Sequence, residues 1–387
     1  MLDIFKNKYV LIMALAKITL FYYLLGNKVS LVLILLSSVF FISLIYTITS
    51  KKTFLLVNFI ISFLMFVDVI YMNYYNQYLS FSSFKQIGQL SDISETIMLL
   101  IKPTYFLLFL DLFLSRFIQK DTYKKKVFIK AFALNMVIIS LLIIDPLQAT
   151  SVQKISNQEF FTYHVKNAYN ILVEQNLNDA RIAKDLENKK LVTSDENSKL
   201  HGVAKGRNLI IIQVESFQNM LINAKYNKQE LTPNLNKLIK GDTIYFKNYY
   251  QQVGLANTSD AEFISNNALH PNIYAQTYDL YKDNYYYGLP WILKDEGYKT
   301  LAFHAYKKDF WNRAAAYPNQ GFDEFISQDD FDNNEIIGFG LSDREFFKQS
   351  LEYLEKEKQP FYSFLVTLTS HNPYVMPMEE QKIKLKN

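Results

Sequence analysis

The chain has 387 residues, 41 Lys and Arg against 37 Asp and Glu, a net charge of +4 and no cysteine. Without cysteine no disulfide can hold any part of it, and with charges so nearly balanced no nucleic-acid partner is expected. An apolar fraction of 50% describes neither half well, because the apolar residues crowd into the first 150 positions.

Apolar runs at Tyr9 to Leu25, Ser30 to Thr49, Phe54 to Met72, Ile97 to Phe117 and Val127 to Ile144 each approach the roughly 20 residues that a helix needs to cross a bilayer. The expectation is a five-helix transmembrane domain over residues 1–148. The third run is apolar on every face, with Val57, Phe59, Ile60, Phe63, Leu64 and Phe66, which separates it from an amphipathic surface helix. The first lacks a small-residue cleavage site and is expected to remain as an anchor.

Lys6 and Lys8 precede the first run, Lys51 and Lys52 lie between the second and third, and Arg116, Lys120 and Lys124 to Lys126 between the fourth and fifth. The alternate loops carry Lys28 and Lys85. Positive charge gathers on the cytoplasmic side, so the N-terminus is expected inside and everything after about Asp145 outside, in a multi-pass cell-membrane protein. Lys17, Asp68, Lys102 and Asp111 fall within or near these runs, where charge is costly. They are expected to pair with one another, to contact lipid headgroups or to snorkel from a span end.

Residues 149–205 are polar, and Phe161, Val165, Ala168 and Leu172 recur at helical spacing, which predicts a helical juxtamembrane linker. His164, His201 and His270 are expected at the surface or at caps. Residues 206–387 then alternate strand and helix. Strands are expected at Asn208 to Val214, Thr243 to Tyr250, Lys299 to Phe303 and Phe361 to Thr369, and helices after Thr232, over Leu289 to Glu296 and from Ser342 to about Lys358. That order implies a mostly parallel sheet with helices on both faces. Glu215, His304 and His371 follow strand ends, where open α/β sheets place their ligands.

Glu215 and Thr258, 43 residues apart, have the character of a metal ligand and a nucleophile. Each taken alone reads equally well as a helix cap. The segment His304 to Arg313 adds an imidazole, the indole of Trp311 and a guanidinium suited to phosphate. A threonine hydroxyl needs activation, and a divalent cation held by carboxylate would supply it, which suits displacement at phosphorus.

At Val214-Glu-Ser-Phe-Gln218, Asn257-Thr-Ser-Asp-Ala-Glu262, Phe303-His304 with Phe310-Trp-Asn-Arg313, and Thr369-Ser-His-Asn-Pro373, the chain resembles the lipoteichoic acid synthases. These are five-span polyglycerolphosphate transferases with an extracellular, sulfatase-like domain of the alkaline-phosphatase superfamily. The resemblance implies that Glu215 binds Mn2+ or Mg2+, that Thr258 is both ligand and nucleophile, and that His304, Trp311, Arg313 and His371 hold glycerol phosphate. It further implies transfer of glycerol phosphate from phosphatidylglycerol to a polymer on a glycolipid acceptor. Tyr306 stands where the family carries an acidic residue, so headgroup contacts are expected to differ. The family's downstream Asp-His metal pair has no counterpart, since no histidine follows His371. On this reading the domain is incomplete at the C-terminus, and the chain is expected to bind manganese weakly and not to turn over. A phosphoethanolamine transferase and a non-catalytic membrane protein stay open as alternatives, whereas a true sulfatase is set aside because no Cys/Ser-x-Pro-x-Arg setting surrounds Thr258.

Overall fold

A computed structural model describes residues 8–26, 38–39, 41–42, 45–46, 49–75, 77–89, 94–115, 159–174, 199–250, 254, 256–272 and 275–384. Contacts divide the chain into two units, one of residues 1–84 and 93–177 and the other of residues 85–92 and 178–387.

The first unit is built on helices Lys8–Leu24 and Lys51–Tyr75. Only Lys51–Tyr74, among the described residues, is both long and apolar enough to cross a membrane. The fourth apolar run, expected as one span, is instead broken. Helix Ser94–Leu100 stops, Lys102 is extended, and a 3-10 helix over Pro103–Phe109 leads into helix Leu110–Ser115. The cause is local: proline has no N–H to donate and drives the residue before it out of the helical region. The fifth run and most of the second lie outside the described residues.

Helix Phe160–Glu174, expected within a linker, is part of this unit's core. Phe160 meets Phe21 edge-to-face at 5.4 Å, and its N–H donates to the Tyr22 hydroxyl at 2.9 Å. His164, expected at the surface or a cap, is buried. Its Nε2 lies 2.8 Å from Asp68 Oδ2, while Asp68 Oδ1 accepts the Leu79 N–H at 2.9 Å. A polar group in an apolar core must find a partner, and Asp68 is that partner. His201 and His270 are exposed.

Two of the four charges expected within or near the apolar runs pair with each other. Lys17 Nζ lies 2.8 Å from Asp111 Oδ2 and donates to Asn58 Oδ1 at 2.7 Å, and Asn58 Nδ2 donates to Asp111 at 2.8 Å. The triad joins three helices, and removing one member strands a buried charge. Lys17→Met is therefore expected to destabilise this unit by about 3 kcal/mol, and the triple change Lys17→Met/Asn58→Leu/Asp111→Leu to recover most of it. Thermal unfolding in detergent measures both; a triple variant no better than the single would show that the triad is not the source.

In the second unit a parallel sheet has the order β1-β8-β4-β5, with β1 Leu209–Gln213, β4 Lys299–His304, β5 Glu324–Ile326 and β8 Phe361–Val366. Two short hairpins, β2–β3 (Lys225–Tyr226 with Gln229–Glu230) and β6–β7 (Ile336–Ile337 with Gly340–Leu341), lie outside it. β8 is buried along its whole length because both faces are covered, as parallel sheets require. Leu301, Phe303 and Leu365 pack with Phe346 and Leu354 of helix Asp343–Leu354. On the other face Ala302, Phe364 and Val366 pack with Phe263, Tyr278 and Tyr317.

β1 is an edge strand. Leu209 and Ile211 join the second of these cores, while Ile210, Ile212 and Val214 are exposed. The run Thr243 to Tyr250, expected as a strand, is irregular and exposed, with Thr243 Oγ1 held on the Leu238 carbonyl at 2.8 Å. Aromatic β-propensity makes a strand only where another strand pairs with it, and no described strand lies alongside. Thr232 precedes helix Pro233–Ile239 as expected but does not cap it, since its hydroxyl turns to the Leu221 carbonyl and Asn236. Ser342 does cap its helix, accepting from the Glu345 N–H at 3.2 Å.

Candidate functional site

Gln213, Val366 and His304 stand in one row across β1, β8 and β4, so three parallel strands end at the same level. His304 ends its strand at that level, Glu215 follows the end of β1, and Thr258 is bonded to Glu215. Glu215 leaves β1 with its backbone pinned by the segment that follows β8. Its N–H donates to Thr367 Oγ1 at 3.0 Å and its carbonyl accepts from Ser370 Oγ at 2.6 Å.

Thr258 opens helix Thr258–Asn267, and its hydroxyl donates to Glu215 Oε2 at 3.1 Å. The Gln213 side-chain amide donates to the Thr258 carbonyl at 3.1 Å, tying the helix start to the end of β1. Behind this turn the buried Asp260 carboxylate accepts from the Gly254 N–H (3.0 Å), the Ala256 N–H (2.9 Å) and Thr277 Oγ1 (2.9 Å). Burial pushes its carboxyl above the usual carboxylate range, and the three donors oppose that shift. A side chain at Gly254 would begin 2.3 Å from the Asn272 carbonyl oxygen, so only glycine closes the turn.

Positive φ angles mark the site. Ser216 (53°) follows Glu215, Asn257 (40°) precedes Thr258, and Trp311 (60°) and Asn312 (54°) precede Arg313. Each such non-glycine residue costs about 1–3 kcal/mol, and strain of this kind persists where surrounding structure holds it, commonly at functional sites.

His304 ends β4 and is buried, its Nδ1–H donating to the Val366 carbonyl at 3.1 Å. That leaves Nε2 as the acceptor. Burial and then the Arg313 charge hold the imidazole well below its usual pKa. The unfolded chain therefore takes up this proton first as pH falls below about 6.5, and the folded state loses stability from there down to the depressed folded value. Removing the imidazole in His304→Gln is expected to flatten that acid limb, whose slope is about 1.4 kcal/mol per pH unit. An unchanged limb in denaturant titrations would assign it elsewhere.

Arg313 is also buried. Its Nε and Nη2 donate to Glu262, with the shortest contact at 2.7 Å, and Tyr317 donates to the same carboxylate at 2.7 Å. Trp311 is half-buried and meets Phe310 edge-to-face at 5.6 Å, and Phe310 meets Phe339 at 5.8 Å. Phe339 in turn stacks on the His371 imidazole at 4.4 Å, whose Nδ1–H donates to the Asn372 carbonyl. An aromatic chain thus joins Trp311 to His371. Tyr306 packs into it, 4.5 Å from Phe339 and 5.2 Å from Phe310. Glu262, Phe339, Thr367 and Ser370 had no role assigned from the sequence, although Glu262 and Ser370 lie inside motifs that were singled out.

Residues 207–383 match the family model described as sulfatase, and residues 5–173 match the lipoteichoic acid synthase N-terminal domain. The chain is 34% identical over 393 residues to a lipoteichoic acid synthase of Staphylococcus saprophyticus, covering 94% of this chain and 60% of that protein. Over almost its whole length the chain is thus similar to a lipoteichoic acid synthase. A Staphylococcus aureus lipoteichoic acid synthase is 41% identical over 199 residues, 50% of this chain and 31% of that protein. The crystal structure of the lipoteichoic acid synthase LtaP from Listeria monocytogenes is 37% identical, with a TM-score of 0.49 over 53% of this chain and 50% of that one. The chain spans less than two thirds of the length of these relatives.

Members of the sulfatase and alkaline-phosphatase superfamily use divalent metals. Glu215 and Thr258 present a carboxylate and a hydroxyl to one point, which are hard oxygen donors of the kind Mn2+ and Mg2+ take. Among the described residues no group of three or more His, Asp or Glu side chains is placed to hold a metal ion. The pair fits such an ion as two of its donors.

Proposed function

We propose that this chain is a member of the lipoteichoic acid synthase family and carries the nucleophile and headgroup side of a glycerophosphotransferase centre. The observation that carries the reading is the 3.1 Å hydrogen bond from Thr258 to Glu215 at the strand ends. Thr258 Oγ1 attacks the phosphorus of phosphatidylglycerol, the bond from phosphorus to the diacylglycerol oxygen breaks, and that oxygen leaves with a proton as diacylglycerol. Glu215 Oε2 is the acceptor nearest the departing threonine proton. Glycerol phosphate, now esterified to Thr258, then passes to a hydroxyl of a glycolipid-borne polymer. A bound manganese or magnesium ion would lower the charge cost of the alkoxide and of the phosphate oxygens.

His304 Nε2 accepts a headgroup hydroxyl, Trp311 and His371 line the glycerol, and Arg313 receives a phosphate oxygen. The N-terminal domain crosses the bilayer five times, the fourth crossing made by the broken segment Ser94–Ser115, which puts the N-terminus in the cytoplasm and the second unit outside. In this reading the spans end near residue 148, helix Phe160–Glu174 packs within the same unit, and the sulfatase-like part begins near residue 206. Protease added to intact protoplasts is expected to remove the second unit and spare the Lys124 to Lys126 loop; a protected second unit refutes the orientation.

In membranes given headgroup-labelled phosphatidylglycerol, these residues combined with the family's downstream Asp-His metal pair are expected to yield label on Thr258 or in polymer, with free diacylglycerol. Transfer from labelled phosphatidylethanolamine instead would make the protein a phosphoethanolamine transferase. Transfer from neither would leave a lipid-binding membrane protein.

A further inference from the structure

A guanidinium has five N–H donors in a rigid plane. In Arg313, Nε–H lies 3.1 Å from both Glu262 oxygens, one Nη2–H donates to Glu262 Oε1 at 2.7 Å, and one Nη1–H donates to the Phe310 carbonyl at 3.2 Å. One N–H on each terminal nitrogen is left without an acceptor among the described residues. Both nitrogens sit in a side chain that is only 1% exposed, where an unsatisfied donor is costly.

Glu262 is fully buried and lies one helical turn after Thr258, on the same face of helix Thr258–Asn267. Its oxygens are filled by Arg313 and by the Tyr317 hydroxyl at 2.7 Å. The backbone entering Arg313 is held as well, because Asn312 Nδ2 donates to Asp279 at 2.7 Å through the two left-handed residues. Such fixing on every side exceeds what neutralising a charge requires.

We propose that Glu262 is a positioning residue for headgroup recognition. Its carboxylate takes the side edge of the Arg313 guanidinium and leaves the two spare terminal N–H bonds to grip phosphoryl oxygen. Because Glu262 shares its helix with Thr258, the grip is held in register with the nucleophile. Neutralised by Glu262, Arg313 acts as an oriented pair of donors more than as a free charge. This rests on the reading of the site as a glycerophosphate site.

The chain has two tryptophans, so Trp291→Phe leaves Trp311 as the sole indole reporter. In that background, full-length protein titrated with glycerol phosphate is expected to show a saturable change in Trp311 emission. Glu262→Gln is expected to weaken binding about 10- to 100-fold while the protein still unfolds cooperatively. Tyr317→Phe, which removes a bond to the same carboxylate without touching Arg313, is expected to bind within a few-fold of the parent. A Glu262→Gln variant that binds like the parent overturns the proposal. If that variant lacks a cooperative transition, Glu262→Asp decides: weakened binding by a cooperatively folded protein supports positioning, and parent-like affinity refutes it. A parent with no saturable response overturns the headgroup reading itself, and this inference with it.

Discussion

In a protein that combines these residues with the family's downstream Asp-His metal pair, Thr258→Ala is expected to lower glycerophosphate transfer by on the order of 10^4-fold or more, as removal of a nucleophile does, while Ser259→Ala changes it by less than about tenfold. The two hydroxyls are adjacent in sequence and opposite in circumstance. Thr258 is half-buried, bonded to Glu215, and set at the first turn of a helix, where exposed N–H groups favour the negative charge of a phosphoryl group. Ser259 turns its hydroxyl back toward the Ala256 carbonyl at 3.4 Å, so its bond goes to a backbone oxygen and not to an activating carboxylate. Rates with labelled phosphatidylglycerol, and fragmentation of the modified peptide, check both halves. Equal losses, or label on Ser259, would refute the assignment.

The strands that carry the site were legible because each is a short apolar run ending at a chemically distinct residue. Phe361 to Val366 and Lys299 to His304 lie where the pattern places them, and the parallel order follows from the alternation with helices. β5 was not, since three residues give no period. The Thr243 to Tyr250 run misled because aromatic content reports compatibility with a sheet, not the presence of a partner. Pro103 lies inside the fourth apolar run, whose hydropathy predicts one long span. Its effect on Lys102 outweighs the apolar average that drew the span through it.

Contacts between distant residues were out of reach. Asp68 and His164 are 96 positions apart, and nothing local to His164 announces a buried carboxylate. Lys17 and Asp111 were candidates for pairing by cost alone, and the geometry selects them over Lys102. At the site, the nearness of Thr258 to Glu215 could be read from a strand end followed by a helix start. The burial of Arg313 on Glu262 could not, because a guanidinium in a polar segment reads first as a ligand for phosphate.

That buried pair has the larger consequence for stability. Arg313→Met leaves the Glu262 carboxylate enclosed with only the Tyr317 hydroxyl, and is expected to destabilise the second unit by about 3–5 kcal/mol, the usual result of breaking one side of a buried ion pair. Arg313→Met/Glu262→Gln removes both charges at similar volume and keeps an amide oxygen for Tyr317, so most of the loss is expected to return. Denaturant unfolding of single and double variants measures the coupling directly. A double variant as unstable as Arg313→Met would mean that lost packing by the arginine stem, not the stranded charge, sets the cost. With stability restored, the same double variant is still expected to fail to bind glycerol phosphate, because the terminal N–H groups are gone. Holding the two helices together and holding the headgroup are then separable properties of one pair.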